Sequence, residues 1–496
     1  MKKLWLVLLL LTFSIVLFAC GGNRSGDEAN RIVEWYELSE DADLDQNQEI
    51  TVTFWHRMGG SSQELLQTWI EEFEEMYPNI DVVEEKAAGD YDGLADKIAL
   101  AIPGGNAPDI SESYPDHIAR YAPSGAPLAL NYFISNPNIG FSEDEIADFL
   151  PGLWAEGTSY DNAGTMLSLP FTKSTEAFFY NKTYFDAHSL NGQTYTEIVN
   201  SSDFTWDDLF AIAQDIKDRE PNAIPFGYDS TDNLFISASE QWNAPYTGYN
   251  EDTGRGEIQF NNDASKDMVK YFKDKVDRGL MLTRSLNGDA YTSDIYKTGE
   301  QLYMYVGSTG GTRYAYIGMQ QSIFEGDDEH DPVRAGVAPL PSYDGTTRRQ
   351  IQQGPNINLY RNDNEQQMIA AWLFAKYITS AEKSLEFCLP SGYAPIRYSA
   401  YETTAWENFG VHTGTPTTTA QAMIWAQDDL VRDAIEIFLN NDDIFFTSAV
   451  FNLSSDTRSE VGSLIDKILA YDATSEADLD AYINTQYQES YDFLVG

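Results

Sequence analysis

Apolar positions along this chain change their spacing repeatedly, and each change marks an element. In EITVTFWHR, Ile50, Val52 and Phe54 occupy every second position, the period of a strand with one buried face. After Gly59-Gly60 the period lengthens: Leu65, Leu66, Trp69, Ile70 and Phe73 share one helical face. Ser61 and Glu64 read as the capping box of that helix, and Tyr77-Pro78 ends it. Residues 80–83 predict a second strand. Leu94, Ile98 and Ala101 predict a second helix, stopped by Pro103-Gly104-Gly105. Strand, helix, strand, helix in this order predicts a parallel sheet covered by helices.

The alternation continues. Residues 166–180, MLSLPFTKSTEAFFY, predict two short strands around a Pro170-Phe171 corner. Thr205-Trp206-Asp207-Asp208 caps a helix whose Leu209, Ile212, Ala213 and Ile216 face inward. Met268, Phe272 and Val276 mark another helix. Residues 302–306 predict a strand running into Gly307-Ser308-Thr309-Gly310-Gly311, and residues 368–377 and 461–468 predict late helices.

The first segment breaks this pattern. Lys2 and Lys3 precede residues 4–18, which are apolar apart from Thr12 and Ser14. That run is shorter than the ~20 residues needed to span a bilayer, so it reads as a secretory signal peptide. Its ending, Leu17-Phe18-Ala19-Cys20, resembles a bacterial lipobox with Phe18 in a place usually held by a small residue. The resemblance implies lipid on Cys20 as the mature N-terminus. Residues 21–48 are acidic, rich in small residues and weakly periodic, which predicts a tether. The other cysteine, Cys388, lies in the helical apolar pattern EKSLEFCLP and reads as a small buried hydrophobe.

Composition narrows the function. A chain of 496 residues exceeds one ordinary core and calls for two domains or two lobes. Lysine and arginine total 31 against 78 acidic residues, a formal charge of -47, which argues against nucleic acid and anionic lipid surfaces as partners. The 30 Tyr, 26 Phe and 10 Trp exceed what a core alone asks for and suit recognition of polar rings by stacking. The chain has no phosphate-binding loop, nucleophile elbow, H-E-x-x-H or C-x-x-C. Its five histidines lack zinc-ligand spacing, and His330 in GDDEHDP reads as part of an acidic turn. No cofactor, no metal and no catalytic activity are expected. A secreted glycoside hydrolase with paired carboxylates is the enzyme alternative, but with 78 acids any one pair carries little information.

Six segments occur in an order that resembles the extracellular solute-binding proteins of ATP-driven importers: TVTFWHRMGGSSQELLQTWIEEFEEMYPNIDV, GGNAPDI, LPFTKSTEAFFYNKTYF, FTWDDL, YKTGEQLYMYVGS and SGYAPIR. WHRMGG, GNAPDISESY and LPFTKSTE are most similar to the branch holding glycerol 3-phosphate binders and, more distantly, maltose-type binders. The resemblance implies an α/β, two-lobe periplasmic-binding-protein-like fold of type II, with ligand in a cleft between lobes joined by crossing segments. It places lobe one at 49–172 plus 307–358 and lobe two at 173–306 plus 359–496. It also implies a monomeric receptor, exported and lipid-anchored at the cell envelope, that delivers a small sugar-like ligand to permease subunits.

Ligands of parallel sheets meet the loops at strand C-termini, where helix N-termini turn backbone N–H groups inward. That rule selects Trp55, His56 and Gly59 in WHRMGG, Tyr91 in GDYDGL and Tyr114 in ESYPDH. Thr172, Ser174 and Thr175 offer hydroxyls at one crossover. Trp242 is the expected stacking platform with Tyr246 behind it. Gly307, Ser308 and Gly310 permit close backbone approach at the other crossover, and Gly354-Pro355-Asn356 and Tyr393 complete the ring. Glycerol 3-phosphate binders of the family carry an acidic residue near the position of Pro115 and an arginine in the C-terminal region. Here Phe451 falls at about the arginine's place and Arg458 stands several residues on, with Arg313 and Arg397 as substitutes. The departure favours a neutral sugar or oligosaccharide, with glycerol 3-phosphate or a glycerophosphodiester as the alternative. Micromolar binding needs about 8 kcal/mol. Two ring faces of ~100 Å² give ~5 kcal/mol, so hydrogen bonds to a polyhydroxylated ligand supply the rest.

Overall fold

The computed structural model describes residues 31–250, 255–299, 301–315 and 334–496. The signal segment, Cys20 and His330 lie outside the described residues. Two mixed sheets organise the chain. The first has the order Ile80–Lys86, Ile50–His56, Ile110–Ser113, Asn356–Leu359, Leu169–Pro170. Its first three strands are parallel, as the alternation predicts, but Asn356–Leu359 runs antiparallel to both of its neighbours. Such a strand, arriving from far along the chain, leaves no trace in local periodicity.

Ile50, Val52, Phe54 and His56 are the buried alternates of the first strand. Helix Ser61–Met76 covers them with Leu66, Trp69, Ile70 and Phe73. The expected capping box at Ser61 does not form. Gly60 is the N-cap, at φ 57°, and Ser61 is already the first helical residue, so its hydroxyl sits one position too late to cap. The box expected at Thr205 does form, with Asp208 as its reciprocal partner.

The second sheet has the order Met281–Thr283, Phe226–Tyr228, Met304–Ser308, Ser174–Asn181, Gln350–Gln353, Phe445–Phe446, and Ala335–Ala338 also pairs with Ser174–Asn181. The central strand is buried from Ser174 to Tyr180. Phe178 enters one core, while Phe179 stacks on Tyr305 at 4.9 Å in another, which is why AFFY reads as an unbroken apolar run.

The lobe boundaries need correction. Ala335–Ala338 and Gln350–Gln353, expected in lobe one, pair with Ser174–Asn181 of the second sheet. Helix Glu365–Ile378, expected in lobe two, belongs to the first core, where Phe374 meets Phe73 at 5.0 Å and Phe54 at 6.0 Å. Helices Ser454–Leu469 and Glu476–Val495 do pack on the second core. Nor is 31–48 a free tether. Val33, Leu38, Ala42 and Leu44 are buried, Trp35 Nε1 donates to Thr165 Oγ1 at 2.9 Å, and the Tyr36 hydroxyl donates to Glu365 at 2.8 Å. Irregularly spaced apolar residues can seal a core edge without any period.

Among the described residues three chain passages link the sheets, 171–173, 354–355 and the long 360–444. At one, Gly354 holds φ 106° and a Cβ there would lie 2.0 Å from the Thr172 carbonyl oxygen, so only glycine lets these strands cross. Lys173 is fully buried, donates to Gly354 O at 2.9 Å and pairs with buried Glu156. Lys173 also bridges to Ala394 of the third passage.

Candidate functional site

A cavity of about 720 Å³ opens between the two sheets. The first sheet reaches it through helix starts. Asp90 caps helix Tyr91–Ala101 by accepting from Gly93 N at 3.1 Å, which leaves Tyr91 and Asp92 facing the cavity. Strand Ile110–Ser113 delivers Tyr114, which precedes Pro115 at the N-terminus of the next helix and contributes no side-chain cap, so its ring is free to line the wall. Tyr91 and Tyr114 meet edge to face at 5.1 Å and 72°. Tyr393, on the third passage, extends this aromatic wall. A second cavity of about 460 Å³ shares Tyr91, Tyr314 and Tyr393 with the first, so the groove continues past these rings.

The second sheet supplies the opposite wall. The turn after Phe226–Tyr228 carries Asp229, which accepts from Thr292 N at 2.6 Å, Thr292 Oγ1 at 2.7 Å and Ser293 N at 3.2 Å. Asp232 pairs with Arg458 Nε at 2.9 Å, and Arg458 also donates to Asn233. Asn233 in turn donates to Gln353 at 2.9 Å. Glu176, 1% exposed, accepts from the Tyr228 hydroxyl at 2.5 Å. Among the described residues, carboxylate residues around this cavity number eight, against three Lys or Arg residues.

Burial governs the titration of the site. It pushes Tyr91 and Tyr114 well above the usual phenol range and Tyr393 up to about 12, so all three are neutral donors. It also raises Glu112, at the end of strand Ile110–Ser113, to about 7, opposed by the Arg57 N–H that donates to Glu112 Oε2 at 2.6 Å. Glu176 rises to about 8, through desolvation first and Asp232 beside it, opposed by the Tyr228 hydroxyl, the Asn233 side chain and the Arg458 charge.

Of the residues selected from sequence, Tyr91, Tyr114, Gly307, Ser308 and Tyr393 line the main cavity. Gly59 and Gly310 line the adjoining one, and a Cβ at Gly310 would lie 2.5 Å from the Tyr393 ring, so its lack of a side chain serves that ring rather than a ligand directly. Tyr246 is buried beside a small pocket of about 50 Å³ that also touches Arg458.

The rest are placed elsewhere. Trp55 packs under Lys97, 3.7 Å from the ring centroid. His56 is buried with Nε2 2.5 Å from Glu84, and burial lowers its pKa and keeps it neutral. Thr172, Ser174 and Thr175 are buried at the crossing, where Thr175 Oγ1 donates to Ile351 O at 2.8 Å. Trp242, the expected platform, stacks on Tyr343 at 4.0 Å and packs against Phe272 in the second core. Asn356 donates to Ser168 Oγ at 2.9 Å. Arg397 lies over Phe149 at 3.7 Å and donates to the carbonyls of Thr379 and Glu145, away from the cleft. Arg313 is held by Asp428 at 2.6 Å.

Most of the cavity's other residues were not selected from sequence, Arg458, Asp116 and Glu176 among them. Arg458 reaches the cleft after all, from helix Ser454–Leu469, and Asp116 stands beside Pro115. Glu176 had a visible signal: a lone carboxylate inside the apolar run of a buried strand.

Two α/β lobes meeting in a ligand-sized cleft define a two-lobe binding protein. The family model of the bacterial extracellular solute-binding proteins matches residues 68–410, and the chain belongs to that family. It is similar to the sn-glycerol-3-phosphate-binding periplasmic protein UgpB of Rhizobium meliloti (24% identical over 363 residues, 72% of this chain and 77% of that protein). It is similar also to the maltotriose-binding protein of Pyrococcus abyssi (25% identical over 364 residues, 70% of this chain and 66% of that protein). Among solved structures, Mycobacterium tuberculosis UgpB in complex with glycerophosphocholine superposes with a TM-score of 0.65 at 18% identity, covering 90% of this chain and 99% of that one. Maltose-bound MalE3 of T. maritima gives 0.64 at 17% identity, covering 88% and 99%. These structures share the fold.

Proposed function

We propose that the chain is the substrate-binding component of an ATP-driven importer, taking up a neutral sugar or oligosaccharide and releasing it to a membrane permease without chemical change. The observation that carries the ligand class is the charge of the cleft: eight carboxylate residues against three Lys or Arg, with Arg458 matched by Asp232 at 2.9 Å. A dianionic phosphate entering this cavity meets net repulsion, whereas sugar hydroxyls can donate to carboxylates and accept from tyrosines. The continuation of the groove past Tyr91 and Tyr393 favours a ligand longer than one ring. The competing reading, a glycerol 3-phosphate or glycerophosphodiester receptor, draws on the UgpB relatives and on Arg458 in the cavity.

The receptor acts as an exported monomer, held at the cell envelope by lipid on Cys20, and closes its lobes about the three passages. Native mass spectrometry of freshly purified protein should find a co-purified neutral saccharide. A thermal-shift screen should find stabilisation by sugars and none by glycerol 3-phosphate. Stabilisation by phosphate esters alone overturns the ligand class, and release of a cleaved sugar overturns the receptor reading. Mass spectrometry of detergent-extracted protein, with and without Cys20→Ala, tests the anchor.

A further inference from the structure

Among the described residues, Glu176 is the one carboxyl of the main cavity that comes from the middle of a central strand rather than from a loop or helix. It is 1% exposed, and the Tyr228 hydroxyl donates to its Oε2 at 2.5 Å. Its other oxygen, Oε1, is buried with no hydrogen-bond partner among the described residues. A charged carboxylate left half-satisfied at such a place is costly, and a neutral acid is far less so. The groups facing it are Tyr228 from strand Phe226–Tyr228, two strands away across Met304–Ser308, Asp232 and Asn233 from helix Thr231–Gln241, and Arg458 from helix Ser454–Leu469. The one cation among them is held by Asp232 and Asn233, not by Glu176.

We propose that Glu176 is a ligand-contacting, specificity-determining residue: with Oε2 occupied by Tyr228, Oε1–H donates to an acceptor oxygen of an uncharged polyol ligand, and a Glu176 carboxylate rejects it. This rests on the sugar-receptor reading above and deepens it. Burial, with Asp232 nearby, pushes Glu176 up to about 8, so the donor form prevails at neutral pH. A ligand that needs the donor form binds together with the proton. Its affinity is therefore constant at acid and neutral pH and falls as pH rises past about 8. The aromatic wall stays neutral through that range, because burial raises Tyr91, Tyr114 and Tyr393.

The test starts with a thermal-shift screen of the full chain against neutral oligosaccharides, maltotriose first. The stabilising sugar is then titrated calorimetrically from about pH 6 to about pH 9.5. Wild-type affinity should hold to about pH 7.5 and fall roughly thirtyfold by the alkaline end. Glu176→Gln keeps both an acceptor for Tyr228 and an N–H donor, so it should bind within about threefold of wild type and lose the alkaline fall. Glu176→Leu should weaken binding about tenfold or more at every pH. Constant wild-type affinity across the range, or an alkaline fall that survives in Glu176→Gln, overturns this inference and leaves the sugar receptor standing. Stabilisation by no neutral sugar overturns both.

Discussion

Both walls of the cleft are built mainly from residues just beyond strand ends, yet they carry different chemistry. The first-lobe wall is led by Tyr91, Tyr114 and Tyr393, rings with neutral hydroxyls of which the first two meet edge to face, with Asp90, Asp92 and Asp116 beside them. The second-lobe wall is a polar network in which Asp229 is tied to Thr292 and Ser293, Asp232 to Arg458, and Glu176 to Tyr228. The rings supply area with little directional demand. The network supplies direction, with few atoms left free. In the proposed receptor, a ligand that spans the cleft gains ring contact from one wall and directed hydrogen bonds from the other.

That division can be broken most severely at the joint between the walls. Lys173→Ala strands a buried Glu156 and removes the pin on Gly354, so urea unfolding should report a loss of about 3–5 kcal/mol. Unchanged stability would mean that the pair does not hold the crossing.

The next effect belongs to Glu112, a buried neighbour of Tyr91 and Tyr393 that lines neither cavity. Glu112 is raised to about 7, so the folded state binds its proton more tightly than the unfolded chain does. Its contribution is complete below the usual carboxyl range and is lost as pH climbs to about 7. The loss is on the order of 3 kcal/mol. Unfolding free energies between about pH 4.5 and 8 should show this decline in the wild type and a flatter profile in Glu112→Gln. Equal slopes would refute it.

Tyr393→Ala comes third. Removing one ring face of ~100 Å² should weaken sugar binding by about 2 kcal/mol, roughly thirtyfold, in a calorimetric titration, with little change in its pH dependence. The smallest effect sharpens the comparison from outside. Trp242→Leu disturbs the stack on Tyr343 and should lower the melting temperature while leaving ligand affinity within about twofold. A large affinity loss would return Trp242 to the site.

Where a signal is local, the sequence was readable. The alternation of Ile50, Val52 and Phe54, the stripe from Leu65 to Phe73 and the box at Thr205 lie within one turn or one strand of themselves. Tyr91 and Tyr114 were legible because each follows a strand or turn at the edge of a parallel sheet, where the chain must open. Trp242 misled because a large ring in a polar stretch looks the same whether it faces a ligand or Tyr343. Arg397 misled because a buried arginine can be satisfied by backbone carbonyls as well as by an anion.

The sequence by itself determined the alternating α/β elements, the acidic charge and the supply of tyrosines, because these are written in composition and in neighbours a few residues apart. Only the tertiary structure decided which lobe receives residues 335–353 and 365–378, that Arg458 and Glu176 share one cavity, and that Gly354 lies under Thr172. Those relations join positions far apart in the chain. They are fixed by packing and strand pairing, which no local period encodes.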